Sequence, residues 1–229
     1  MPREKPATGK IYHVYNRGVE KRNIFLNDRD RLRFVYSLTL FNDSSSATNI
    51  GYFFDIKSIE IRLQYPRKKL VRVLAFALMS NHYHLLLEQI AGNGITEFMR
   101  KVGAGYTNYF NKKYQRVGPL FQGKYKAARL KNERHFIYLP YYIHLNPLEA
   151  IEPEWKINGI KNPEKALDFL ASYRWSSHQD YLGKMNFPEL LDMGLLDESF
   201  GGPKQYQANI TEWLRSENYK EMDKEVIIE

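Results

Sequence analysis

The chain contains no cysteine. That excludes a disulfide framework, a thiolate metal site and a cysteine nucleophile. Long apolar runs are missing too: nothing approaches the roughly 20 residues that span a bilayer. The opening MPREKPATGKIYHVYNRG carries charge but no apolar stretch of the secretory kind. Low-complexity tracts and internal repeats are absent. Composition is not extreme, with 43% hydrophobic and 26% charged residues in a chain of 229, so disorder is not expected as its main state. The expectation is a cytoplasmic protein, with no membrane contact and no small organic cofactor.

Positive charge and tyrosine are in excess. There are 34 Lys and Arg against 26 Asp and Glu, a net +8, and 17 Tyr beside 13 Phe and 3 Trp. The charge is divided along the chain. Residues 1–150 hold 25 basic and 11 acidic residues; residues 151–229 hold 9 and 15. The asymmetry predicts a basic working part, 1–150, and an acidic, mostly helical extension, 151–229. Between 100 and 134 the only acid is Glu133, and Tyr106, Tyr109, Phe110, Tyr114, Phe121 and Tyr125 are interleaved with the cations. Cations neutralise phosphates and rings stack on unpaired bases, so this stretch suits a nucleic acid. A solvated helix face over core aromatics would give the same pattern.

Periodicity supplies the elements. Ile11–Tyr15 reads as a strand closed by the turn signal Asn16-Arg17-Gly18. A helix follows from Asp28 to about Phe41, capped by Asp28 or Asn27. Residues 42–51 are a polar loop and 52–69 are ambiguous. Leu70–Met79 and His82–Gln89 form an antiparallel hairpin. A helix over 95–113 opens at Thr96 and is weakened by Gly103 and Gly105. Lys124–Leu130 is an edge strand, and Asn132 caps a helix that Pro147 stops. A short helix follows near 163–172. The order predicts an α+β fold: a ferredoxin-like βαββαβ antiparallel sheet with helices on one face, plus a mainly helical C-terminal extension.

His82 and His84 are one residue apart on a strand, so their imidazoles share a face and can share a metal ion. One core and one surface histidine would look the same. In YLPYYIHLNP (138–147), Tyr142 and Asn146 are i and i+4 on one helix face. A carbonyl oxygen suits Mg²⁺ or Mn²⁺, and a phenol is a potential nucleophile. A tyrosine-rich packing helix is the plain alternative for that segment. Together, His82, His84 and Asn146 would hold a divalent ion, and Tyr142 would attack a phosphodiester.

MSNHYHLLLE (79–88) resembles the HUH metal-binding motif of single-tyrosine transposases. FMRKVGAGYTNYFNKKYQRVGPLFQGKYKA (98–127), YIHLNP (142–147), YRWSSHQDYLG (173–183) and YNRG (15–18) resemble the REP-associated tyrosine transposases. The likeness spans roughly residues 9–185. It implies metal-dependent cutting and rejoining of single-stranded DNA near hairpins through a covalent 5′-phosphotyrosine. The HUH pair falls on His82 and His84, the nucleophile on Tyr142 and the third metal-binding side chain on Asn146. Tyr83 takes the place of the usual aliphatic residue between the histidines and is expected to face the other side of the sheet. Pro140 predicts a kink or restart in the Tyr142 helix, with Tyr141, Tyr106 and Tyr109 as competing phenols.

Arg17, Arg100, Lys112, Lys113, Arg116, Lys124, Lys126 and Arg129 are the candidate DNA contacts. Trp175 reads as a packing anchor rather than a base platform. The acidic tail has three readings: a lid, a dimer element or a mimic of DNA. A homodimer is left open, as are a hairpin-binding protein that does not cut and a hydrolase that uses water. Through its DNA the protein would associate with a bacterial nucleoid.

Overall fold

The computed structural model describes residues 5–45 and 67–216. Strands β1 Ile11–Arg17, β2 Val71–Leu78, β3 His82–Gln89 and β4 Lys126–Arg129 form one antiparallel sheet in the order β2-β3-β1-β4. Helix α1 Asp28–Leu40 follows β1, and α2 Gly94–Lys113 follows β3. This is the ferredoxin-like βαββαβ arrangement. The part of the polar loop at 46–51, most of the ambiguous 52–69 and the end of the acidic tail, 217–229, lie outside the described residues.

Side-chain alternation assigns the two faces of the sheet. Tyr12 and Val14 of β1 join Tyr83, Leu85 and Leu87 of β3 in a core shared with Phe34 and Leu38 of α1 and Phe98, Val102 and Tyr106 of α2. In β2 the register shifts between Val73 and Ala75. The extra residue resets the alternation, so Val71, Val73, Phe76 and Leu78 all face this core. Asn27 caps α1, its side chain accepting from the Asp30 amide at 3.2 Å. The buried Asp30 carboxylate then ties α1 to α2: it accepts from Lys113 Nζ at 2.6 Å, Tyr109 at 2.9 Å and Tyr114 at 2.7 Å. Helix α2 begins at Gly94, one residue before the expected 95, after Asn93 in the left-handed region (φ 56°). Thr96 does not open it; its hydroxyl accepts from Tyr125 at 3.3 Å.

The opposite face is covered by α3 Glu133–Leu145 and the extension. Asn132 caps α3, accepting from the His135 amide at 2.8 Å. The helix runs through Pro140 without the expected restart. Pro140 lies beyond the first turn, so it forgoes an internal backbone bond, and packing rather than propensity holds the helix. At Pro147 the chain tightens into a 3-10 turn, Asn146–Ala150. Helices α4 Trp155–Asn158, α5 Pro163–Ser172, α6 His178–Tyr181, α7 Gly194–Phe200 and α8 Gly202–Ser216 follow. Leu74, Ala75, Ala77 and Leu86 of the sheet, Leu139, Tyr141 and Leu145 of α3, and Leu170, Tyr206, Ile210 and Trp213 of the extension share this second core. A polar chain crosses it: His144 Nε2 to Ser177 Oγ at 2.7 Å, His144 Nδ1 to Tyr206 Oη at 2.8 Å, and Tyr206 Oη to His178 Nδ1 at 2.7 Å. Trp175 packs against Phe187, ring centroids 6.1 Å apart, as a packing anchor should.

Candidate active site

The site is built where β1, β3 and α3 meet. The β1–β3 register sets Tyr15 opposite His84 and Arg17 opposite His82. His82 and His84 share a face, their rings 5.1 Å apart and nearly perpendicular. Tyr83 points the other way and packs on Phe34 at 4.9 Å. Tyr142 descends from α3 with its ring 6.0 Å from that of His84, edge-on. Asn146 lies one turn further along the chain, its Nδ2 donating to the Tyr142 carbonyl at 2.8 Å. The competing phenols are directed elsewhere. Tyr106 donates to the Ile24 carbonyl at 2.6 Å, Tyr109 to Asp30, and Tyr141 accepts from Asn209 at 2.9 Å.

The fit to a cation can be tested on the buried polar atoms. His82 Nε2, His84 Nε2 and Asn146 Oδ1 are all buried and have no hydrogen-bond partner. The other polar atoms of these side chains are engaged. His82 Nδ1 lies 2.5 Å from Asn81 Oδ1, which only accepts, so Nδ1 carries the proton and Nε2 keeps its lone pair. His84 Nδ1 lies 2.7 Å from His13 Nε2. With Nδ1–H donating to His13, the Nε2 of His84 also presents a lone pair. Burial holds His84 well below the ordinary imidazole range and brings His82 down to about 4, so both rings are neutral near pH 7. Two imidazole nitrogens and an amide oxygen are a donor set for a divalent ion. Among the described residues no group of three His, Cys, Asp or Glu has metal-binding geometry; the third donor here is an amide, which lies outside that set.

A cleft of about 50 Å³ opens beside the two imidazoles, lined by Tyr15, Asn16, Arg17, His82, His84, Gln122 and Lys126; Asn146 is not part of its wall. That is room for an ion and a water. Lys126 stands with its ammonium 5.6 Å from the Tyr15 ring centroid. Tyr142 is not part of the cleft wall. Burial raises its phenol far above the ordinary value, the nearby Glu149 carboxylate adds to the rise, and a hydrogen bond with Asn146 opposes it. The Lys156 ammonium sits 5.1 Å from the Tyr142 ring centroid and pairs with Glu149 at 2.5 Å.

The candidate DNA contacts divide. Arg17 and Lys126 line the cleft, and Arg100 and Lys124 line a neighbouring groove. Lys112 is exposed on α2, and Arg129 is half-buried at the end of β4. Lys113 is committed to Asp30, and Arg116 donates to Asn111 at 2.7 Å and lies over Phe110. Lys113 thus ties α2 to α1, while Arg116 braces the loop after α2.

Residues 54–146 match the family described as Transposase IS200 like. The chain resembles the IS200-like transposases. A solved structure titled "Structure of the REP associates tyrosine transposase bound to a REP hairpin" aligns with a TM-score of 0.51 at 10% identity, over 84% of this chain and 90% of that one. At that identity the match speaks for the fold. No curated protein matches significantly. The transposase-like span contains His82, His84, Tyr142 and Asn146.

Four further residues stand beside this site and were missed in the sequence: His13, Tyr15, Glu149 and Lys156. The first two alternate with apolar Tyr12 and Val14, a visible signal once β1 is placed beside β3. Lys156 is one of many lysines, and nothing in its neighbourhood marks it.

Proposed function

We propose that the protein is a metal-dependent single-stranded DNA endonuclease and strand transferase that acts beside DNA hairpins. Its basic part, 1–150, carries the chemistry, and the acidic extension braces the helix of the nucleophile. The observation that carries the reading is the set of three buried, unpartnered lone pairs on His82, His84 and Asn146 beside the Tyr142 phenol. These three side chains would hold Mg²⁺ or Mn²⁺, which when bound polarises a phosphodiester oxygen and offsets charge developing on phosphorus. Arg17 and Lys126 draw the strand into the cleft and position its phosphates. The Tyr142 oxygen attacks phosphorus, an O–P bond forms, and the bond to the 3′ oxygen breaks. The phenol loses a proton and the departing oxygen gains one, leaving a 5′-phosphotyrosine and a free 3′-hydroxyl. One phosphodiester replaces another, so the step is reversible and a second 3′-hydroxyl can rejoin the strand. Because Tyr142 stands behind the cleft wall, its ring has to swing toward the substrate.

That burial also supports a second reading, in which the protein grips hairpin DNA without cutting it. Covalent trapping separates the two. The protein is mixed with Mg²⁺ or Mn²⁺ and labelled hairpin oligonucleotides, denatured, and mapped by mass spectrometry. The transferase reading expects an adduct on Tyr142 that disappears with EDTA, with His82→Ala and with Tyr142→Phe. An adduct on Tyr141, Tyr106 or Tyr109 overturns the assignment, and tight binding with no adduct favours the second reading.

A further inference from the structure

The Tyr142 ring has neighbours from two parts of the chain. The sheet contributes His84, edge-on with ring centroids 6.0 Å apart, and His13, edge-on at 6.4 Å. The extension contributes the Trp155 ring at 6.4 Å and the Lys156 ammonium, 5.1 Å from the Tyr142 centroid. An ammonium within about 6 Å of a ring centroid is attracted to the face of that ring. Lysine is seldom buried without a partner. Glu154, Ile157 and Asn158 beside it are exposed, whereas the Lys156 side chain keeps only 19% of its surface exposed and its ammonium pairs with Glu149 at 2.5 Å. Glu149 lies on the 3-10 turn that begins at Asn146. The pair therefore fastens the turn carrying Asn146 to α4 and sets the ammonium against Tyr142. Burial holds that ammonium below the ordinary lysine value, and the Glu149 carboxylate opposes the fall.

We propose that Lys156 is a positioning residue for Tyr142, supplied to the active site by the acidic extension and itself aimed by Glu149. The inference rests on the proposed function and names a group that acts through the nucleophile rather than on the substrate. Tyr142 has to swing to reach phosphorus. A cation over the ring favours one starting place over the other staggered ones. From one place the oxygen reaches phosphorus along one path; from several it arrives in line less often. A role in gripping DNA fits the geometry less well. The ammonium is already paired with Glu149, and Lys156 is not part of the cleft wall that Arg17 and Lys126 line.

The test compares Lys156→Met, which keeps the side chain's reach without its charge, with Lys156→Arg, which keeps the charge. Combining Lys156→Met with Glu149→Gln removes the carboxylate left unpaired, should the single variant fold poorly. The first readout is nitration of tyrosines by tetranitromethane in the free protein in EDTA, mapped by mass spectrometry. Tyr142 is expected to resist in the native chain and in Lys156→Arg, and to react in Lys156→Met and in the double variant. Tyr141 and Tyr206, just as buried, should resist in all four. Nitration of those two as well would show a general loosening and overturn the inference. So would a Tyr142 that resists in every variant or reacts in the native chain.

The second readout is the rate of adduct formation at saturating hairpin DNA. Lys156→Met should slow it about 10–100-fold, since a misplacement of about 1 Å costs up to the larger figure. DNA affinity and its salt dependence should stay unchanged, and Lys156→Arg should recover most of the lost rate. Weaker affinity with a shallower salt slope would make Lys156 a phosphate contact, and a faster rate would make it a lock. Either overturns the inference, as does an unchanged rate, or a rate in Lys156→Arg no better than in Lys156→Met. If the native chain forms no adduct, the nitration pattern decides alone: the expected pattern upholds the placement of Tyr142 by Lys156 while the transferase reading falls.

Discussion

A buried polar atom without a partner costs about 1–3 kcal/mol, and His82, His84 and Asn146 each carry one. A divalent ion would satisfy them at once, so adding Mn²⁺ should raise the thermal midpoint. The linkage is worth about 2.7 kcal/mol at a hundredfold excess over Kd. His13 touches none of these atoms. It fixes His84 through the 2.7 Å contact to Nδ1 and so sets which nitrogen holds the lone pair. Loss of such an outer partner typically weakens metal binding 10–100-fold. His13→Ala is therefore expected to lower Mn²⁺ affinity by about that factor in calorimetry, and to shrink the Mn²⁺-induced rise in midpoint. Unchanged affinity would show that His13 is packing alone. At this scale the sequence placed the pair on one strand face but not their partner, because His13 enters only when β1 lies beside β3.

Helix α2 shows what single positions do to an element. Both of its interior glycines, Gly103 and Gly105, weaken the helix by propensity, and only their surroundings separate them. Gly103→Ala should stabilise the protein by about 0.5–1 kcal/mol, since it removes backbone entropy and meets nothing. Gly105→Ala drives a methyl into the Phe41 ring and should destabilise by about 1–3 kcal/mol. Urea denaturation of the two variants checks both signs, and equal shifts would refute the packing account of Gly105. The sequence pattern marked both residues as weak points without distinguishing them. Elements with strong periodicity were readable: the β2–β3 hairpin, α1 with its Asn27 cap, and the edge strand β4. The start of α2 was not, because Thr96 has the composition of a cap while its hydroxyl serves Tyr125. The path of α3 through Pro140 was not either, since the packing that holds it comes from α7 and α8, far along the chain.

For the whole molecule, the second core closes over four neutral histidines. His82, His84, His144 and His178 are buried, and burial depresses all four, with His82 and His178 brought down to about 4. In the unfolded chain a histidine titrates near 6.5. As pH falls below that value the unfolded state takes up protons and the folded state does not, so stability is full above pH 6.5 and declines toward pH 4. His178 alone, 1.5 units below 6.5 at pH 5, accounts for about 2 kcal/mol there. Asp180, whose carboxyl burial raises, works in the opposite sense and at lower pH. The expected result, in EDTA so that no metal competes, is a urea midpoint that drops steeply between pH 7 and pH 5. His178→Gln should flatten that slope even if it lowers the overall midpoint by losing the bond to Tyr206. A slope unchanged by His178→Gln would mean that the imidazole is protonated inside the fold, and the chain from His144 through Tyr206 would then have to be redrawn with a charge in it.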